Sequence, residues 1–178
     1  MKNKKWFTLI EIMVVIVIIA ILLTLTMWIS SDRIQILKMK SVQEQLIYNY
    51  NNLFSKNMLT NYYEWSMYEN MIIKMIKDDQ QFTYGYKRFN ENEESINYKH
   101  DYVEWWNYKF TELLLDWHIT DSITIKLTPY ILWCEISNWN TTWNKLIGKV
   151  TINNNKKYCF QISSNLCKQE NIDCDYIN

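Results

Sequence analysis

Phe7–Ile29 reads FTLIEIMVVIVIIAILLTLTMWI, 23 residues that carry a single charge, Glu11. As a helix rising about 1.5 Å per residue it would span roughly 35 Å, enough to cross a hydrocarbon core of about 30 Å. It therefore reads as a membrane-spanning helix. Lys2, Lys4 and Lys5 stand just before it, so the positive-inside bias puts the N-terminus in the cytoplasm and the remaining bulk outside. A cleaved secretory signal fits poorly. The apolar run exceeds the usual length of about 7 to 15 residues, Thr24–Ser31 (TLTMWISS) offers no A-x-A-like site, and Glu11 lies within the run. A lipid anchor on cysteine is excluded, because the first cysteine is Cys134. A carboxylate costs about 2.5 to 3.5 kcal/mol at the centre of a membrane helix. Snorkelling from a site near the helix end explains how Glu11 is tolerated, not why it is there.

The whole chain has 178 residues, with 19 Lys plus Arg against 19 Asp plus Glu. That length suits one domain of ordinary size, and the neutral balance argues against a strongly basic nucleic-acid binder. Without the three leader lysines the remainder holds 16 basic and 19 acidic residues, net −3, and shows no local basic patch for nucleic acid. Glycine is scarce. Average usage of about 7 % would supply roughly a dozen, and the chain has two, Gly85 and Gly148.

Beyond Ile29 the helical pattern continues: Ile34, Leu37, Val42, Leu46, Tyr50, Leu53 and Phe54 recur at spacings of three and four or their sums, on a background of Gln, Lys and Asn. This predicts an amphipathic helix to about Asn57. Glu64–Lys77 and Tyr102–Asp116 also have helical character, through Met67, Met71, Ile72, Met75 and Ile76, then Val103, Trp106, Phe110, Leu113 and Leu114. Between them Phe89–Lys99 is polar and acidic and reads as a solvated loop, without the regular ligand spacing of a calcium site. After Thr120 the period changes to two. Ile123, Ile125 and Leu127 alternate with polar residues as in a half-buried strand, and Tyr130–Ile136 is a further strand. Ile147–Ile152 and Lys157–Ile162 flank Asn153-Asn154-Asn155-Lys156, a hairpin signal because Asn tolerates left-handed backbone angles. The layout is α+β: a long N-terminal helix, with a C-terminal antiparallel sheet on its apolar stripe.

Cys134, Cys159, Cys167 and Cys174 all fall in the segment expected outside, where an even number favours disulfides. Three pairings are possible. The preferred pairing is Cys134 with Cys159, which would tie two strands, and Cys167 with Cys174, which would close a C-terminal loop. Zinc is the competing reading, but spacings of 25, 8 and 7 lack a C-x2-C knuckle, so no metal site is expected. No catalytic constellation is present either: His100 and His118 are the two histidines, and neither a nucleophile elbow nor a phosphate loop can be written with two glycines.

Lys5-Trp6-Phe7-Thr8-Leu9-Ile10-Glu11-Ile12-Met13-Val14-Val15 resembles the N-terminal signature of type IV pilins and type II secretion pseudopilins, K-G-F-T-L-I-E-L-M-V-V in typical members, with the likeness running over roughly Lys4–Ile29. The resemblance implies a filament subunit rather than an enzyme, with no cofactor. It also implies cleavage by prepilin peptidase between Trp6 and Phe7, and methylation of the new amine to give N-methylphenylalanine at Phe7. Glu11 would then attract the Phe7 amine of a neighbouring subunit, which offsets two charges that are each costly unpaired in low dielectric. The implied partners are the peptidase, other pilin subunits of the same or another kind, an inner-membrane assembly platform and the membrane. The implied location is a single-pass membrane protein that becomes an extracellular or periplasmic filament. Its segments would be a leader (1–6), a membrane and filament-core helix (7–29), an amphipathic continuation (30–57) and an extracytoplasmic region (58–178). C-terminal disulfide loops also recur in that family. Major pilin, minor pilin and pseudopilin share this N-terminus. The rival reading is a binding or adhesion module on an uncleaved membrane helix.

The chain departs from the signature at Trp6, where typical members have Gly, at Ala20, also Gly there, and at Trp28, where they have Pro. Other tryptophans stand where turns favour Gly: Asp116-Trp117, Asn138-Trp139-Asn140, Trp143-Asn144 and Trp106-Asn107. Two glycines and nine tryptophans together come to 11, close to the dozen or so glycines expected. The expectation is that most of these tryptophans are glycine in the cell, rendered as Trp by a genetic code that misreads UGA.

Overall fold

The computed structural model describes residues 8–101, 108–138, 141–152 and 156–177, without the side chains of residues 26–32, 101, 156, 176 and 177. The chain divides into two compact units, Met1–Lys40 and Ser41–Asn178. Helix α1, Leu9–Leu59, is 51 residues long and contributes to both, ending two residues beyond the expected Asn57. Its share of the second unit buries Val42, Leu46, Tyr50, Leu53 and Asn57, a stripe at spacings of three and four. Ile34 and Leu37 of the expected stripe belong to the first unit and are exposed, so the buried stripe starts at Val42.

The rest of the second unit is β-structure: β1 (Tyr62–Tyr63), β2 (Ser66–Ile76), β3 (Phe82–Arg88), β4 (Lys99–Asp101), β5 (Tyr108–Leu115), β6 (His118–Thr120), β7 (Ser122–Leu127), β8 (Cys134–Asn138), β9 (Thr141–Trp143), β10 (Lys145–Ile152), β11 (Lys156–Ser163) and β12 (Gln169–Ile172). They form two antiparallel sheets. One runs β4-β3-β2-β7-β8-β9 with β1 beside β2; the other runs β12-β11-β10-β5-β6. The helix is tied to both sheets: Asn57 Nδ2 donates at 3.0 Å to the carbonyl of Thr128, just after β7, and the amide of Gln169, at the start of β12, donates to Asn51 Oδ1 at 3.4 Å. The α+β class is as read from the sequence, with two sheets in place of one.

Two expected helices are strands. Residues 64–77 contain β2 and residues 102–116 contain β5. Both strands are central, β2 between β3 and β7 and β5 between β10 and β6, and each buries side chains on both faces: Met71, Ile72, Ile73 and Met75 in one, Leu113, Leu114 and Leu115 in the other. A strand covered on both faces loses its period of two, and its continuous apolar run then matches helical spacing by chance. The expected strand at Tyr130–Ile136 forms only from Cys134, because Pro129 and the left-handed Tyr130 (φ 65°) occupy a turn before it. β7 alternates as expected, with Ile123, Ile125 and Leu127 buried. Residues 89–99 are not wholly solvated: Ile96 is buried, and Gly85 makes room for it, since a Cβ there would overlap Ile96 Cγ2.

Candidate functional site

The described chain begins with a reciprocal cap. Thr8 precedes the first helical residue, and Glu11 Oε2 accepts from the Thr8 amide at 2.9 Å and from Thr8 Oγ1 at 3.0 Å, while the Glu11 amide donates to Thr8 Oγ1 at 3.4 Å. This T-x-x-E capping box satisfies helix-end donors that would otherwise be orphaned. Its signal is legible at Thr8-Leu9-Ile10-Glu11 and went unread in the sequence. The Glu11 carboxylate is thereby held at the first turn, beside the amide that joins Thr8 to Phe7. The negative charge also lies at the positive end of the helix dipole. Trp6 and Phe7, the residues expected to flank the cleavage and to carry the methyl group, lie outside the described residues.

After Glu11 the helix is apolar all round and every face is open. Fourteen large apolar residues from Leu9 to Leu25 are each at least half exposed. A soluble monomer rarely exposes so large an apolar surface, and a helix apolar on all sides calls for a membrane or a packed bundle around it. Among the described residues no helix is long and apolar enough to cross a membrane. The described apolar stretch, Leu9–Leu25, has 17 residues, so the span expected over 7–29 is not carried by the structure alone.

All four cysteines are bonded, in a pairing other than the preferred one. Cys134 joins Cys167 and Cys159 joins Cys174, with Cα separations of 5.6 and 5.2 Å. The first links β8, in one sheet, to the loop between β11 and β12 in the other, where the Cys134 amide also donates to the Ser164 carbonyl at 2.8 Å. The second holds the C-terminal turn Cys174–Ile177 against β11. Cys134 and Cys159 cannot pair across neighbouring strands, because β8 and β11 lie in different sheets.

Elsewhere, Tyr63 and Tyr86 stack with centroids 4.0 Å apart, Tyr68 tilts against Tyr86 at 4.8 Å, and Lys99 reaches over Tyr63 to Glu64 Oε1 at 2.8 Å. The Lys99 hydrogen bond, with that from Tyr63, holds the Glu64 carboxyl below the usual carboxylate range. Lys99 thus occupies the face of this aromatic group itself. His100 meets Gln81 Nε2 at 3.1 Å, and His118 lies 5.3 Å from the Trp143 ring. Among the described residues no group of three or more His, Cys, Asp or Glu could hold a metal ion.

Residues 1–27 match the family model described as the prokaryotic N-terminal methylation motif, so the chain carries the type IV pilin and pseudopilin signature. The capped, apolar helix start lies within that match. No curated protein and no solved structure matches the chain.

Proposed function

We propose that this protein is a structural subunit of a type IV pilus-like or type II secretion pseudopilus filament. The observation that carries the reading is the methylation-motif match over residues 1–27, on a helix whose described apolar side chains are open on every face. The precursor is held in the membrane by residues 7–29 with Lys2, Lys4 and Lys5 inside. Prepilin peptidase cuts between Trp6 and Phe7 and methylates Phe7, and the assembly platform passes the subunit to the filament. There the apolar helix exchanges lipid for the helices of its neighbours. Glu11 turns from its own Thr8 to the Phe7 amine of an adjacent subunit, so one carboxylate serves as a helix cap before assembly and as a counter-ion after it. The β-rich unit then lies on the outside, stapled by Cys134–Cys167 and Cys159–Cys174. The pilin-like fold, the membrane location and the absence of catalysis follow from this reading.

The test is to follow the chain in the membrane and in sheared surface or periplasmic filaments, for the native protein and for Glu11→Leu. The variant should reach the membrane at the native level and be lost from filaments. A Glu11→Leu chain that localises and functions as the native one does would instead identify a binding module on an uncleaved anchor.

A further inference from the structure

Trp65 and Trp117 occupy left-handed backbone positions that glycine fills without strain and tryptophan does not. Tyr63 pairs with Ser66 and Leu115 with His118, so Glu64-Trp65 joins β1 to β2 and Asp116-Trp117 joins β5 to β6 as two-residue turns. All four residues have positive φ: 46° and 67° in the first turn, 42° and 77° in the second. This is the mirror-image hairpin turn whose usual sequences are Asn-Gly and Asp-Gly, and for a bulky residue a positive φ is a genuine outlier. Nothing about the rings compensates. Trp65 is fully exposed, and Trp117 is 62 % exposed with Lys145 5.9 Å above its ring. The other left-handed residues differ: Asp78 and Asn90 are of types that tolerate the conformation, Tyr130 bonds Asn61 through its hydroxyl, and Cys167 is held by its disulfide.

The written glycines show the converse. Neither Gly85 nor Gly148 has positive φ; both lie in strands, where a Cβ would overlap Ile96 in one case and the Phe160 ring in the other. Two of the four described tryptophans outside the helix thus fill glycine's turn role, and no glycine fills it. Trp143, a turn candidate by sequence, instead ends β9, and its indole N–H is buried with no acceptor among the described residues. Trp139 and Trp106 lie outside the described residues.

We propose that positions 65 and 117 carry glycine in the native chain, encoded by UGA codons, one base from the tryptophan codon UGG, which the cell translates as glycine. The same codon at position 6 would place glycine, the smallest residue available, before Phe7 and leave the cleavage junction unhindered. The turn positions stand independently of the filament reading; the meaning of position 6 rests on it.

The test is mass spectrometry of tryptic peptides from the protein purified out of the cells that make it. Residues 57–74 and 110–126 are released by cleavage at lysines, and each contains one written tryptophan. Both peptides should be lighter than written by the mass of an indolylmethyl group less one hydrogen, and both codons should be TGA in the gene. An intact tryptophan in either peptide, or a TGG codon at either position, overturns the proposal. Both peptides are present whether or not the chain is cut before Phe7, so this result is separable from failure of the processing itself.

Discussion

The Glu11 carboxylate closes back on Thr8, accepting from its amide at 2.9 Å and its hydroxyl at 3.0 Å. In the proposed filament this residue would have two competing uses, a neutral task of capping that an amide can also perform and a charged task that it cannot. Glu11→Gln should keep the first helical turn and lose filament assembly. Glu11→Leu should lose assembly and also weaken the first turn by up to about 1 kcal/mol, because the Thr8 amide loses its acceptor while the residue-11 amide still donates to Thr8 Oγ1. Amide exchange at residues 9–12 in micelles, read beside the yield of filaments, separates the two. Normal assembly of Glu11→Gln would show that the charge is not used.

Relief of the left-handed tryptophans should stabilise the written chain. Trp65→Gly and Trp117→Gly remove a cost of about 1 to 3 kcal/mol each, partly offset by the extra freedom of glycine in the unfolded chain, for a net gain of about 1 kcal/mol apiece. Gly148→Ala should act oppositely and cost about 1 to 3 kcal/mol, because its new methyl must displace the Phe160 ring. Urea titration of the full chain in detergent measures all three. Destabilisation by Trp117→Gly would contradict the turn assignment.

The disulfides should be unequal. Cys134–Cys167 closes a sequence separation of 33 residues and Cys159–Cys174 one of 15. By loop-closure entropy the first contributes about 4 kcal/mol and the second about 3 kcal/mol. Cys134→Ser with Cys167→Ser should therefore lower the unfolding midpoint more than Cys159→Ser with Cys174→Ser. The larger loss is reinforced by the separation of the two sheets. Equal midpoints would argue against that cross-link.

Alkali should unfold the β-rich unit through its tyrosines. Burial pushes Tyr158 and Tyr68 from 10.0 up to about 12, and raises Tyr50 and Tyr86 as well. Each raised value means that the folded state holds its proton more tightly than the unfolded chain. The corresponding stability is fully present below pH 10 and is lost as pH rises through about 12. Circular dichroism and tyrosinate absorbance, followed together, should change in one coupled step within that window. Tyrosines titrating near pH 10 with the fold intact would contradict it.

Legibility in the sequence followed how one-sided each element is. The stripe Val42, Leu46, Tyr50 and Leu53 and the alternation of Ile123, Ile125 and Leu127 each have one buried face, and each was readable. The hairpin of β10 with β11 was marked by its asparagines, and the β5–β6 turn by Asp116-Trp117 read as Asp-Gly. Strands β2 and β5 were misread because burial on both faces erases the period that distinguishes a strand from a helix. The cysteine pairing was beyond reach, since it depends on which sheet each strand joins, a long-range property that spacing does not encode. At the N-terminus both the motif and the Thr8–Glu11 box within it are legible, the box as a threonine three residues ahead of a glutamate at the start of an apolar run.

The proposed function requires that the chain be processed before Phe7 and assembled into a filament. Its most direct measurement is the N-terminal sequence and mass of the chain recovered from sheared filaments. The recovered chain should begin at Phe7 with a methylated amine, whereas a filament-borne chain that still begins at Met1 would overturn the proposed processing.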